Sequence, residues 1–341
     1  MRRSHRALST GVGLGITFLF LWLALKDVAW AEMRDAFARA DYRWVAPAAL
    51  LVAADYWFRA LRWRHLIPER TIPAKRLFPI LIVGFAANNV IPARVGELWR
   101  IWGLSRHEGV NKSVGLATLV VERVFDGLTL VFLLALFSAL VPSNGQADAI
   151  KYGFAALFGG VLAGLLLLVG FGEHVERLVS RAARPLPAQW QARLLAVLRR
   201  FTEGLHVFQQ PRRLVGVVGY SLAAWLSEAV VYYLLMHAFG VALPARRMVG
   251  GAILVLTLIN LGILLPSAPG YVGTYEYFGR LALVEVLGVP VGQAVSVVIV
   301  AHAVQYVLVT GLGLLFMVRL SLAGERSPFG LPAGDNVGGS R

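Results

Sequence analysis

The sequence predicts an all-α polytopic membrane protein. It has about eight membrane segments and two Pro/Gly-broken, re-entrant helical hairpins arranged as an inverted repeat. Three observations lead there. First, the 341 residues are 57% hydrophobic and only 15% charged, against roughly 25% charge in soluble domains. Second, eight strongly apolar stretches run along the chain, several reaching the ~18–20 residues that cross hydrocarbon. Third, ionisable residues inside those stretches recur at matching spacings. Asp55 precedes Pro92 by 37 residues and Glu228 precedes Pro266 by 38; Glu97 precedes Glu122 by 25 and Glu276 precedes His302 by 26. Inside lipid the backbone must satisfy its own hydrogen bonds, so long spans imply helices.

The stretches lie at roughly 9–25, 44–66, 77–91, 113–141, 152–171, 214–237, 248–265 and 292–317, with shorter apolar helices at 95–106 and 274–288. Arg2, Arg3 and Arg6 precede the first. Ala29-Trp30-Ala31 resembles a signal-peptide cleavage site, but the apolar run to Leu25 and the hydrophobic chain beyond favour an uncleaved span. Residues 26–43 balance four basic against four acidic residues, 59–76 hold six basic and one acidic, and 173–213 hold eight arginines and three glutamates. With a cytoplasmic amino terminus, eight simple crossings put 173–213 outside, against the positive-inside rule. A hairpin 77–106 that enters and leaves on one face removes the conflict. A second, 248–288, then enters from the opposite face and leaves Arg246 and Arg247 outside. Two complete crossings per interruption give the same loop sidedness.

One integral membrane domain, 1–320, thus contains pseudo-repeats 44–141 and 214–317. The connection 173–213 reads as a basic amphipathic helix pair broken at Pro185-Leu186-Pro187. The Gly/Pro/Ser-rich tail 321–341 reads as disordered.

The net charge of +14 lies in loops and helix ends. Anionic lipid head groups are therefore its counter-charge, and nucleic acid is not an expected partner. The absence of cysteine excludes disulfides, thiol catalysis and zinc-thiolate sites. No nucleophile elbow, phosphate loop, zinc-protease motif or catalytic pair is present. The sequence therefore predicts no enzyme, no cofactor and no metal site.

Charges in lipid are costly and point to function, and paired interruptions point to a transporter-like site near the bilayer midplane. The first interruption combines Asn88, Asn89, Pro92, Arg94, Gly96, Glu97 and Arg100. Proline stops the helix, Gly96 permits a turn, and the next half-helix points its positive end at a cavity. Arg94 offers a phosphate-compatible fork. In span 113–141, Glu122 and Asp126 share a face and Arg123 can pair with Asp126, with Arg94 or Arg100 as additional partners. The competing reading of these charges is a buried ion pair that clips helices together.

The second interruption contains Pro266, Pro269, Gly270, Gly273 and Glu276. Thr274 is its expected cap and Arg280 the expected partner of Glu276. Glu228, His302 and Gln305 stand across from it. His302 is either an internally satisfied residue or part of a coupling-ion path. Asp55 and Arg59 form an i,i+4 pair, and Arg62, Trp63 and Arg64 read as interface anchors.

Asn88 through Glu97, Arg100, Val121-Glu122-Arg123-Val124-Phe125-Asp126 and Leu265 through Glu276 together resemble the lysylphosphatidylglycerol synthase transmembrane-region family, also labelled flippase-like. The resemblance covers about 10–320, with the three motifs in the family's order. It implies a protein of the bacterial inner membrane that moves a lipid or helps modify one. The aminoacyl-transferase or glycosyltransferase domains of some members have no counterpart in this chain.

The leading expectation is flippase-like translocation of an anionic or isoprenoid-type lipid across that membrane. Arg94, Arg100 and Arg123 would meet phosphate, while Glu97, Glu122, Glu228 and Glu276 would balance charge or accept an amine. The alternative is a non-catalytic membrane subunit that presents lipid to a separate enzyme of a lysyl-phospholipid, glycolipid or hopanoid pathway. A third, an integral-membrane transferase, lacks a nucleophile or metal cluster. Partners are membrane lipids and, in the alternative, a lipid-modifying enzyme.

Overall fold

The architecture follows from where charge and proline interrupt the apolar runs. The computed structural model describes residues 15–67, 72–91, 94–137, 140, 145–204, 210–265 and 269–322; among these there is no strand. Pro92, Pro266, the amino-terminal arginines and residues 323–341 lie outside the described residues. The expectation of a disordered tail therefore falls outside them too, except at residues 321 and 322, which are helical.

Helix α1, Gly15–Leu25, is short and apolar. It is followed by α2, Trp30–Arg39, where the sequence reading saw only a charge-balanced connection. Glu32 in its first turn and Arg39 in its last suit the helix dipole. Its Phe37 ring stands edge-on to Phe239 at 5.7 Å.

Asp41 then opens a single 3₁₀ turn, accepting a hydrogen bond from the Arg43 amide, and leads into α3, Val45–Leu66. The first interruption separates α4, Ala74–Val90, from α5, Val95–Glu108. Gly109 ends α5 at φ 67°, and the Asn111 side chain caps α6, Lys112–Leu136. The basic connection is helical on both sides of its proline break, but its first helix is not separate from the apolar stretch before it: α7, Gly145–Ala182, covers both with a bend at Phe171, and α8 is Ala188–Gly204.

Helix α9, Pro211–Ala238, places its proline in the first turn, where no amide donor is lost. The second interruption separates α10, Ala245–Gly262, from α11, Thr274–Arg280, which runs on as a π-helical segment, Leu281–Val286. Helix α12, Val291–Leu322, closes the fold.

Among the described residues, three helices are long and apolar enough to cross a membrane: Pro211–Ala238, Ala245–Gly262 and the Val291–Arg319 part of α12. Helices α3 and α6 are also long, at 22 and 25 residues, but they carry the buried charges. The main core packs α3, α9, α10, α11 and α12 together, and a smaller one joins the end of α3 to α4, α5 and α6.

The α4–α5 hairpin is held by close backbone approach. A Cβ on Gly96 would lie 1.8 Å from the Gly84 carbonyl oxygen. Gly96 therefore serves helix packing inside α5 rather than the turn expected from sequence. The residue that makes the turn is Arg94, at φ 52°.

Candidate functional site

The buried charges of α3, α5, α6 and α9 form one network. Arg59 donates to Asp55 at 2.8 Å and to Glu228 at 3.1 Å, so the i,i+4 pair read from sequence gains a partner 169 residues away. Arg62 donates to Asp126 at 2.6 Å and to the Ser221 hydroxyl at 3.1 Å. Arg100 makes a two-pronged contact with Glu122, at 2.9 and 2.8 Å. Arg123 reaches Glu122 at 3.1 Å and Asp126 at 3.4 Å.

Indole rings complete the shell. The Arg100 guanidinium lies 4.4 Å over Trp63 and that of Arg59 lies 4.4 Å over Trp225. Four arginines thus face four carboxylates, Asp55, Glu122, Asp126 and Glu228. That balance is what makes such burial tolerable, since each unpaired ion would cost several kcal/mol. Arg62 and Trp63 are fully buried. They are not interface anchors, and only Arg62's position inside an apolar run could have signalled this.

Beside the network lies a cavity of about 440 Å³, within the usual range of small-molecule sites. Both interruptions open on it. Asn88, Asn89, Arg94 and Glu97 come from the first; Tyr271 and Tyr275 come from the second; Glu228, His302 and Gln305 come from α9 and α12. Arg59, Arg123 and Asp126 expose the edge of the network to it. Tyr56, Trp225, Asn260 and Tyr306 also line it; the sequence reading missed these, because neutral aromatics and amides inside apolar spans carry no distinguishing pattern.

Glu122 and Arg100 do not reach the lining. They satisfy each other behind it, so Arg100 is not placed to meet a ligand phosphate. Arg94 does not pair with Glu122 either. Its guanidinium donates to the Ile263 carbonyl at the end of α10, tying one interruption to the other.

Around the first interruption, the Asn88 side chain accepts from the Gly96 amide at 2.8 Å, capping the start of α5. Asn89 donates to Thr310 of α12 at 3.0 Å. Arg94 holds left-handed backbone immediately before α5, a conformation that costs a non-glycine residue on the order of 1–2 kcal/mol. Among the described residues Arg94 has no carboxylate partner, in contrast to the four arginines of the network.

In the second interruption, Pro269 begins a short 3₁₀ turn to Tyr271, and Gly270 and Gly273 adopt φ 72° and 90°. Gly273 is the residue before α11, and the Glu276 carboxylate accepts its amide at 2.6 Å. Thr274 is not the cap; its hydroxyl donates to the Tyr271 carbonyl. Nor does Glu276 reach Arg280. Glu276 meets His302 at 2.5 Å, while Arg280 contacts Asp27 at 3.1 Å and Glu285 at 3.5 Å. Among the described residues no cluster of histidine and carboxylate side chains is suited to a metal ion.

The family profile of the lysylphosphatidylglycerol synthase TM region matches residues 11–313. Among curated relatives, glycosyltransferase AglD of Haloferax volcanii is 26% identical over 94% of this chain and 56% of its own length. This chain therefore spans little more than half of that relative. A UPF0104 membrane protein of Methanothermobacter thermautotrophicus is 27% identical over 87% of this chain and 90% of its own. Another, from Methanocaldococcus jannaschii, is 22% identical over 89% and 92%. No solved structure matches the chain. With a profile match that spans both interruptions and the charged helices between them, this chain belongs to the lysylphosphatidylglycerol synthase TM-region family of membrane proteins.

Proposed function

We propose that the cavity receives the head group of an anionic or isoprenoid-type membrane lipid, and that the protein carries that lipid across the inner membrane. One observation carries this reading. Among the described residues, Arg94 reaches the cavity with only a carbonyl as its partner, while the buried arginines behind it are matched by carboxylates. A guanidinium with unused donors suits a phosphate oxygen. The aromatic and amide lining can hold the remainder of a head group while the tails stay in the bilayer.

The arrangement of helices supports an inverted repeat of 44–141 and 214–317 with eight membrane segments and two re-entrant hairpins. Helix α3 packs on α9, α4 on α12 and α10 on α6, so neighbours exchange between the halves. Helices α4 and α5, with 17 and 14 residues, extend about 25 and 21 Å, less than the ~30 Å hydrocarbon core. The arginine-rich 59–76 and 173–213 then face the cytoplasm together with the amino terminus. A single cysteine at exposed Gln189 in this cysteine-free chain should resist an impermeant thiol reagent in intact cells and react after permeabilisation. Labelling in intact cells would reverse the topology.

The decisive experiment is reconstitution of the purified protein in vesicles of phosphatidylethanolamine and phosphatidylglycerol carrying a head-group-labelled phosphatidylglycerol or isoprenyl phosphate. Protein-dependent loss of label to an external quencher or reductant is expected for at least one lipid. A second reading is favoured by the relative named a glycosyltransferase, of which this chain matches only part. In that reading the protein presents lipid to a separate modifying enzyme, and vesicles would show no flux for either probe until such a partner is added.

A further inference from the structure

The contact between the second interruption and α12 has an unusual proton requirement. Both ring nitrogens of His302 face acceptors: Nδ1 meets Glu276 Oε1 at 2.5 Å, and Nε2 meets the Gly270 carbonyl at 2.7 Å. A neutral imidazole has one N–H and one lone pair. With an ionised Glu276, a neutral ring would force one lone pair against an oxygen, at Glu276 or at Gly270. Both contacts are satisfied together only when the pair holds one more proton, either as imidazolium and carboxylate or as imidazole and carboxylic acid.

We propose that Glu276 and His302 bind this single proton between them, and that its presence decides whether the second interruption stays closed against α12. When it leaves for water in the cavity, either the Nδ1–Oε1 or the Nε2–carbonyl contact becomes repulsive. His302 then separates from Glu276 or from Gly270, and both of these belong to the far side of the same wall.

Among the described residues the surroundings leave no other group to take over the role. On α11, Tyr275 stacks on the imidazole with centroids 4.2 Å apart, and Arg280 is turned away to Asp27 and Glu285. On α12, Tyr306 stands edge-on to the ring and its hydroxyl is bound to the Asn89 carbonyl of α4. From α9, Glu228 acts at one remove: Tyr232 links it to the Tyr275 hydroxyl, and Arg59, Asn260 and Gln305 engage its carboxylate.

The consequence for the cavity is electrostatic. The loaded pair has no net charge, and the unloaded pair carries one negative charge on the wall that His302 and Tyr275 contribute. Proton and anionic ligand therefore favour each other's binding, which by linkage is reciprocal and makes the proton a coupling ion. That last step rests on the function proposed above; the proton site itself does not.

Spin labels on cysteines at Val272 and Val307, before α11 and on the outer face of α12, report the separation in phosphatidylethanolamine–phosphatidylglycerol vesicles without any added lipid probe. Between about pH 5 and 9 the wild-type distance is expected to shift by roughly 2–5 Å, the scale of helix displacements in switching proteins. Glu276→Gln supplies an N–H to Nδ1 and an acceptor to the Gly273 amide without any proton, so it should hold the acidic distance throughout. His302→Gln, a second variant that removes the imidazole, should also lose the shift. A wild type with one distance at both extremes overturns the proposal, as does a monodisperse sample of either variant that follows the wild-type shift. Neither outcome bears on whether lipid is carried.

Discussion

Glu122→Leu is expected to lose on the order of 3–5 kcal/mol of stability, the cost of stranding a buried opposite charge. Glu122 accepts both prongs of Arg100, is contacted by Arg123 and lies 3.6 Å from Arg62. Removing one carboxylate therefore leaves two fully enclosed guanidinium groups, Arg62 and Arg100, short of counter-charge. Glu122→Gln keeps the size and one acceptor but not the charge, and should fall between Leu and wild type. Arg100→Leu alone should be similarly costly. The pair Glu122→Leu with Arg100→Leu should recover part of the loss, because neither partner is then stranded. The readout is the temperature at which half the protein remains monodisperse after heating in detergent. A Glu122→Leu protein as heat-resistant as wild type would mean that the network is not holding α3, α5 and α6 together.

Glu122 also shows what sequence can and cannot tell about such a protein. Its position deep in an apolar span marked it as exceptional, and its i,i+4 relation to Asp126 placed both on one face. The partners could not be read. Arg100 lies 22 residues away and Arg62 contacts Asp126 across 64, so they meet only through helix packing. The helices themselves were legible because apolar runs and breakers define them, and even the helical character of 173–213 on both sides of its proline break followed from amphipathic pattern. Helix α2 was missed because its composition is polar and it buries no residue completely; only its contact with α12 and Phe239 gives it a face.

In the second interruption, proline and glycine located the break, but local spacing misassigned its contacts. Arg280 was within helical reach of Glu276, yet His302 of α12 occupies that place. Left-handed backbone was expected at glycine, and at the first interruption it falls on an arginine. Two proline- and glycine-containing motifs of similar pattern are thus built differently: one ends on Arg94 reaching across to α10, the other on a carboxylate locked to α12.

Arg94→Gly should separate folding from function more sharply than any other single change. At φ 52° and ψ 37° the arginine backbone sits where glycine is comfortable. Glycine removes roughly 1–2 kcal/mol of local strain, against which stands the loss of one hydrogen bond to the Ile263 carbonyl, worth about 1.5–3 kcal/mol for a charged donor. The two nearly offset each other, so heat resistance should stay close to wild type. Transport should not. If Arg94 is the head-group cation, truncating it removes a desolvated charge contact worth about 2–4 kcal/mol, a fall of about 30- to 1,000-fold in affinity for phosphatidylglycerol or isoprenyl phosphate. Arg94→Lys keeps the charge but loses the fork and should fall between. A neutral probe of the same chain length serves as the control, because a purely architectural role would weaken both probes alike. Backbone strain retained at a cavity-facing residue is the pattern expected where the side chain is needed there. An Arg94→Gly protein that folds, resists heat and still moves the anionic probe at the wild-type rate would remove the cation on which the proposed head-group site depends.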